Sequence, residues 1–422
     1  MTGALRRLGS DPTVRWLAAA RVVALLTAPL TLYLLVTRVP VAQRGLYLIA
    51  INVVAAGQLF DTGIGTLLVQ FAARATSVEL GRLRAAATRW FATAALVTVV
   101  LGATAGTAVL LSANVLPIRG LLLPWAIVLA GVALHIRLVP LVCLHEGAGG
   151  TLAVQRMRAV QALLIAAATV VGLLRGAIIG TAAFAALAQV GAVALFLTMR
   201  RVSLPPAESA PMEVGERYLA EQGRSARVWL ALWLAPQLLT PVTLLVAGPT
   251  AAGEIGLHLA LALAPPMLAV PWMHARYPRL GALVGAGRTD EFDRAAREAL
   301  AQALIVLAAG SAALLALAVV APRYLPFLAD RVLSPSLLAL LLVGSLVLVL
   351  LQAMLAWFRA FAVEAFATPV ILACTTMVLG AIGGAALGGA QTAAAGYALA
   401  AVVSGVLLVL LFRLLRDSVR AA

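Results

Sequence analysis

Long apolar runs, each of the length needed to cross a bilayer, recur along nearly the whole of this 422-residue sequence, separated by short arginine-bearing intervals. About 20 apolar residues in helical conformation span a hydrocarbon core, and only structures that satisfy their own backbone polar groups survive there. Composition agrees: 63% of residues are hydrophobic, 11% are charged, and the mean hydropathy is +1.04. An ordinary soluble domain is about half apolar, so this is a polytopic membrane protein.

The runs lie near residues 17–37, 45–71, 90–111, 121–144, 159–174 and 177–199, then 228–247, 254–275, 298–320, 334–355, 368–388 and 392–412. They predict an all-α fold of about twelve transmembrane helices in two six-helix lobes. The expected boundaries are an N-terminal lobe at 1–199, a cytoplasmic inter-lobe linker at 200–227 and a C-terminal lobe at 228–422. The linker is the longest polar interval and predicts a short surface helix after Pro211.

All 31 basic residues are arginine, and the net charge is +15. With the N-terminus placed inside, 23 arginines fall in inner segments, six in outer segments and two, Arg21 and Arg137, within runs. Cytoplasmic loops carry such an excess, so both termini are expected in the cytoplasm. The basic residues are scattered between apolar runs rather than gathered on one face, which argues against a nucleic-acid partner. Cys143 and Cys374 lie in apolar runs of different halves without metal-ligand spacing, as small packing residues do. The basic N-terminus lacks a short apolar core and small-residue cleavage site, so no cleaved signal peptide is expected.

The halves echo each other. GLYLIA from Gly45 is matched by GLHLAL from Gly256, and Arg84-Ala85-Ala86 by Arg294-Ala295-Ala296, at nearly the same offset. Both matches fall on an outward-to-inward helix and the cytoplasmic segment after it, as a parallel six-plus-six duplication predicts.

Four stretches carry a resemblance to a known family. They are Arg44-Gly45-Leu46-Tyr47 with Asp61-Thr62-Gly63-Ile64, CLHEGAGGTLAVQRMRAVQ from Cys143, the segment Ala252 to Arg297, and Trp357-Phe358-Arg359-Ala360 with Glu364. Together they resemble the polysaccharide and oligosaccharide-lipid flippase branch of the multidrug/oligosaccharidyl-lipid/polysaccharide exporter superfamily. The resemblance implies a V-shaped pair of six-helix lobes alternating between inward-open and outward-open states. It also implies a lipid-linked sugar cargo flipped from the inner to the outer leaflet of the cytoplasmic (inner) membrane. The expected partners are that substrate, membrane lipids, and glycosyltransferases or a polymerase of the same pathway, with the chain acting as a monomer. No cofactor, no metal and no enzymatic activity are expected.

A sugar headgroup with charged phosphates needs a polar, cationic passage, and an arginine at the bilayer centre costs about 2.5 to 3.5 kcal/mol on insertion scales. Arg21 and Arg137 are therefore the candidate phosphate ligands, with Asn52 and His135 as further substrate-binding candidates. Both arginines could instead snorkel to the inner interface. Asp61 lies about ten residues, or roughly 15 Å at 1.5 Å per residue, from the inner end of its run. Three readings stay open for it: a proton carrier for ion coupling or gating, a partner of Arg21, or a residue that bends its own helix. Glu254 and His258, four apart, can share a helix face and favour an interfacial hydrogen bond over a metal.

Two rival classes differ in residues. A glycosyltransferase or ligase needs a catalytic acid or base beside a sizeable outer domain, whereas the outer segments here are short and hold only Glu254 and Asp330 as carboxylates. No Walker motif, zinc-ligand pair or nucleophile elbow is present. An ion-coupled multidrug antiporter of the same superfamily would share the fold but favour acids for cationic drugs. Asp61 against Arg21 and Arg137 tilts the balance toward an anionic cargo.

Overall fold

The computed structural model describes residues 12–73, 75–200, 205, 213–274, 280, 283–284, 286–324, 334–361 and 366–421, and among these the regular structure is entirely helical. Arg74, Arg276, Arg279, Arg331, Asp330, Pro211, Glu364 and the arginines of residues 1–11 lie outside the described residues. The helices run α1 (Pro12–Arg38), α2 (Val41–Leu59), α3 (Thr66–Ala72), α4 (Ser77–Leu101), α5 (Thr107–Ser112), α6 (Ile118–His145), α7 (Thr151–Leu174) and α8 (Ile178–Arg200). Then come α9 (Glu213–Gln237), α10 (Leu239–Ala247), α11 (Pro249–Ala262), α12 (Ala264–His274), α13 (Thr289–Tyr324), α14 (Pro335–Ala360) and α15 (Ala367–Ala421).

Seven helical stretches among the described residues are long and apolar enough to cross a membrane, and the pair meeting at 44° between Gln237 and Leu239 makes an eighth. Two of the seven exceed one crossing. Ile118–Leu174 has 57 residues and Ala367–Arg416 has 50, against about 20 for a bilayer. Each is folded back by glycine: Gly149 has φ 100°, and Gly388 and Gly389 have φ 142° and 86°. An L side chain resists that region, so the reversals sit where the sequence offers glycine. Helix α1 and the α2–α3 pair fall where the first two spans are expected.

Several breaks are satisfied by named side chains. Arg44 is 3% exposed; its Nε and Nη2 donate to the carbonyls of Val39 and Val36 at 3.0 and 2.9 Å, closing the C-terminus of α1. Helix α4 starts on a capping box, with Thr76 N–H donating to Glu79 at 2.7 Å and Glu79 N–H to Thr76 Oγ1 at 3.4 Å. The π-type turn Gly102–Gly106 between α4 and α5 is held by Trp125, whose Nε1 donates to Gly102 O and Thr107 Oγ1, both at 3.1 Å.

The chain divides into two compact units, Met1–Trp229 and Leu230–Ala422. In the first, α7 packs on α1 and α8, α6 on α4 and α8, and α2 on α6 and α8. In the second, α14 packs on α15, α10 on α11 and α15, and α12 on α13. Unit 2 has an apolar core that includes Ala269, Met273, Ala303, Leu307 and Val349.

A helix follows Pro211 as expected, but it is neither short nor confined to the surface. The described part of the interval opens the 25-residue helix α9, which continues to Gln237. Tyr218 and Gln222 are fully buried on it. Tyr218 meets the Phe71 ring at 5.6 Å, and Gln222 Nε2 donates to the Ile64 carbonyl at 3.0 Å. Polar composition suggested a solvated segment, but these side chains have partners on α3 and the turn before it.

In the second unit, His258 bonds backbone groups rather than the Glu254 carboxylate. Its Nδ1–H donates to the Glu254 carbonyl at 2.7 Å, and its Nε2 accepts from the Ser334 N–H at 2.9 Å. Ser334 Oγ in turn accepts from Leu337 N–H at 3.3 Å, capping α14. His258→Ala orphans the Ser334 N–H, while the Glu254 carbonyl keeps its intrahelical partner, and is expected to cost about 1 to 3 kcal/mol. Thermal unfolding of the purified protein measures it, and an unchanged midpoint would show that the bridge contributes nothing.

Candidate functional site

Two helix interruptions in unit 1 carry acids, and one guanidinium joins them. The first is a π-type turn, Phe60–Ile64, between α2 and α3, in which Gly65 N–H reaches back to the Phe60 carbonyl at 2.8 Å. Turns of this kind insert a residue into a helix and redirect its side chains. Here the redirected residue is Asp61, 5% exposed. Glycine at 65 is required, because a Cβ would stand 2.7 Å from the Asp61 and Phe60 carbonyls and from Cys143 Sγ. The second interruption, Glu146–Gly150, links α6 to α7 and presents Glu146. It too is tightly fitted: a Cβ on Gly147 would stand 2.5 Å from Ala72 Cβ and 2.6 Å from the Val69 carbonyl.

Arg158, two turns into α7, lies between them. Its Nη2 and Nε donate to Asp61 Oδ1 and Oδ2 at 2.8 and 3.1 Å. Its Nη2 and Nη1 donate to Glu146 Oε2 and Oε1 at 2.9 and 3.1 Å. Gln155 Nε2 adds a bond to Glu146 Oε1 at 3.1 Å. The guanidinium thus forks onto both carboxylates, the geometry for which arginine is suited. The side chains of Arg158, Asp61 and Glu146 are 16, 6 and 11% exposed. With both acids ionised, the cluster carries one surplus negative charge.

A polar column continues from it. His135 on α6 is 1% exposed and lies within electrostatic reach of Asp61. Its ring has only a weak backbone interaction with Gly57, and the side-chain amide of Gln189 has no hydrogen-bond partner. Both pack against Gly57 of α2, where an added Cβ would stand 3.0 Å from His135 Cδ2 and 2.8 Å from Gln189 Nε2. Gln161 Nε2 closes the column by donating to the Gln189 carbonyl at 3.2 Å. Buried polar groups are nearly always paired, so this concentration of poorly paired donors and acceptors is a polar locus rather than ordinary core. Gly57→Leu should drive a side chain into it and cost about 1 to 3 kcal/mol. A denaturation midpoint equal to that of the native protein would contradict this packing.

The residues singled out from sequence are placed as follows. Asp61 and His135 belong to this locus. Asn52 is half-buried on α2. Arg137 is exposed, although it follows buried His135 by only two positions, because residues two apart on a helix face different ways. Arg21 lies on α1, and its side chain is outside the described residues. Asp61 therefore has its observed partner in Arg158.

Residue type and spacing alone do not single out Arg158, Glu146 and Gln155 as site residues. A signal is nevertheless present: Gln155, Arg158 and Gln161 recur at intervals of three along a mostly apolar helix, which places polar groups on one face. The neighbouring Arg156 illustrates the alternative, since it is exposed and its Cζ sits 5.9 Å from the centroid of the Trp16 ring.

Comparison of the sequence with protein-family models and with curated proteins finds no match. Comparison of the fold with solved structures does. The inward-facing conformation of a multidrug resistance MATE family transporter of the MOP superfamily aligns over 94% of this chain and 95% of that one, with a TM-score of 0.73 and 15% identity. An outward-facing conformation of a MATE family transporter aligns over 98% and 97%, with a TM-score of 0.63 and 15% identity. A MOP superfamily transporter from Pyrococcus furiosus, described as having a binding pocket of reverse polarity, aligns over 97% of each chain at 16% identity and a TM-score of 0.60. The chain therefore shares the all-helical fold of the MATE family transporters of the MOP superfamily.

Proposed function

We propose that this protein is a multi-pass transporter of the cytoplasmic membrane, with twelve spans and both termini inside, that works by alternating access. The observation that carries this reading is the likeness of the fold to MATE transporter structures in both inward-facing and outward-facing conformations. A transporter must visit both states around its cargo. The cargo is a lipid-linked oligosaccharide or polysaccharide unit, flipped from the inner to the outer leaflet. The net charge of +15 and the arginines within spans supply what phosphates would need. Arg21 and Arg137 are the proposed phosphate ligands, with Asn52 contributing to the sugar path. Enzymes of the same pathway would be neighbours rather than subunits.

The Arg158 cluster serves as the coupling element. It ties the interruption after α2 to the one after α6, and its surplus carboxylate leaves room for one proton or small cation. A ligand shifts such an element only as far as it binds one conformation better than the other. Asp61→Asn leaves Arg158 paired with Glu146 alone and removes the surplus charge. Flipping by this variant in proteoliposomes should lose its dependence on an imposed proton or sodium gradient. Persistence of that dependence would exclude Asp61 as the coupling acid.

One observation favours a second reading, an ion-coupled multidrug antiporter: the buried cluster holds two acids for one guanidinium, as capture of cations would need. A deletion strain separates the two. Accumulation of untranslocated lipid-linked sugar at the inner leaflet supports flipping. Unaltered sugar intermediates combined with raised sensitivity to cationic drugs would replace flipping with drug export. Arg137→Ala tests the ligand assignment, since it should abolish flipping at normal membrane levels, and retained flipping would remove Arg137 from the path.

A further inference from the structure

A cavity of about 430 Å³ lies wholly within unit 2, between α13, α14 and α15. Its walls divide by polarity. Leu300, Leu350, Met354 and Val409 line an apolar part, with Trp357 and Phe412 beside them, while Arg297, Arg413 and Arg416 line the remainder with Asp293. The ordering follows from helix geometry. On α15, Val409, Phe412, Arg413 and Arg416 recur at intervals of three and four, so one face passes from apolar to basic toward the C-terminus. On α13 the same passage runs the other way, from Leu300 back to Arg297 and Asp293. The basic residues of both helices consequently gather at the same end, near the C-terminal end of α14.

The site is built rather than accidental. Trp357 is 7% exposed, and its Nε1 donates to Asp293 Oδ1 at 3.4 Å. Arg297 Nε donates to the Asp293 carbonyl at 3.3 Å. Trp357 meets Phe412 edge-on at 5.5 Å, so the aromatic wall is fixed. Around it the surface is that of a lipid-facing protein: Leu407, Leu410 and Leu414 of α15 and Ile305 of α13 are more than half exposed.

We infer that this cavity binds one anionic phospholipid of the cytoplasmic leaflet, with its phosphate on Arg297, Arg413 and Arg416 and part of an acyl chain against Leu350, Met354 and Val409. Charge complementarity selects the headgroup, since among the described lining residues three guanidinium groups face one carboxylate, and guanidinium pairs its donors onto phosphate oxygens. Basic pockets between membrane helices on the cytoplasmic side are suited to such headgroups. The apolar wall selects a lipid over a free phosphate, which would leave that wall without a partner. The excess of arginine in the segments on this side assigns it to the cytoplasm. The inference goes beyond transport, because it requires only that the chain reside in a membrane, and the lipid is a resident rather than the cargo.

The test uses full-length protein with phosphatidylglycerol, phosphatidylcholine of the same acyl chains, or glycerol 3-phosphate, read by native mass spectrometry and thermal unfolding. Phosphatidylglycerol should be retained and raise the unfolding temperature by several degrees, and the other two should do neither. Arg413→Gln with Arg416→Gln should weaken retention about tenfold or more. Ala353→Phe keeps every charge but fills the cavity, and should also abolish retention; Leu300→Phe substitutes if that variant fails to fold. Equal retention of phosphatidylcholine overturns the headgroup assignment, and an equal effect of glycerol 3-phosphate overturns the lipid. Undiminished phosphatidylglycerol binding by the filled variant reduces the site to surface charge. None of these outcomes depends on whether flipping is observed.

Discussion

Arg158→Ala is expected to destabilise the protein by about 3 to 5 kcal/mol, the range for removing one partner of a buried ion pair. Two carboxylates would lose four charge-assisted hydrogen bonds at once and be left as like charges with little access to water. Two helix interruptions would lose their shared tie. The effect is electrostatic in origin, so removing the stranded charges should relieve it. A triple variant, Arg158→Gln with Asp61→Asn and Glu146→Gln, should recover most of the stability while remaining unable to couple transport to a gradient. Detergent-solubilised unfolding temperatures and gradient-driven uptake, measured on both variants, separate the two consequences. A loss below about 1 kcal/mol for Arg158→Ala, the level of an exposed pair, would mean that solvent screens the cluster. Asp61→Asn alone should cost much less, because Arg158 keeps Glu146.

Gly396→Val is expected to prevent the two halves of α15 from closing on each other, at a cost of about 3 kcal/mol or more. After the reversal at Gly388 and Gly389, the returning half crosses the outgoing one through Gly380, Gly384 and Gly396. A Cβ at Gly396 would fall on the Gly380 carbonyl, and one at Gly384 on the Thr392 carbonyl, both backbone atoms that cannot move aside. A Cβ at Gly380 would stand 2.5 Å from the Gly396 carbonyl. Membrane helices gain most from close backbone approach through such small residues, because lipid is as apolar as any side chain they could exchange. Gly383→Ala is the control, since its added Cβ meets nothing within 4 Å. It should be neutral or stabilising by up to about 1 kcal/mol, as alanine is preferred over glycine in a helix. Equal unfolding temperatures for Gly396→Val and Gly383→Ala would refute this account of the crossing.

Hydropathy alone was enough to read an all-helical membrane fold, because apolar length is a direct physical requirement of the bilayer and leaves a record in every segment. Arg44 shows where that record stops. It is an arginine between two apolar runs, where composition reads as a solvated loop, yet it is buried and bonded to the carbonyls of Val36 and Val39. The interval before α9 shows the same limit: its polar composition suggested a solvated linker, while Tyr218 and Gln222 are buried under α3. A polar side chain has the same composition whether it faces water or a distant carbonyl.

The sequence by itself determined that the chain lives in a membrane, where its helices run, and that Asp61 stood out as an acid needing a reason. The gap between the runs at 368–388 and 392–412 also matches the reversal that the structure places at Gly388 and Gly389. Only the tertiary structure decided which base meets that acid. Arg158 is 97 positions away along the chain, and its approach depends on how α7 packs beside a π-type turn whose extra residue rotates Asp61 about its helix axis. Local propensity and periodicity act over a few residues. Pairing at such a distance is set by packing, which no single segment encodes.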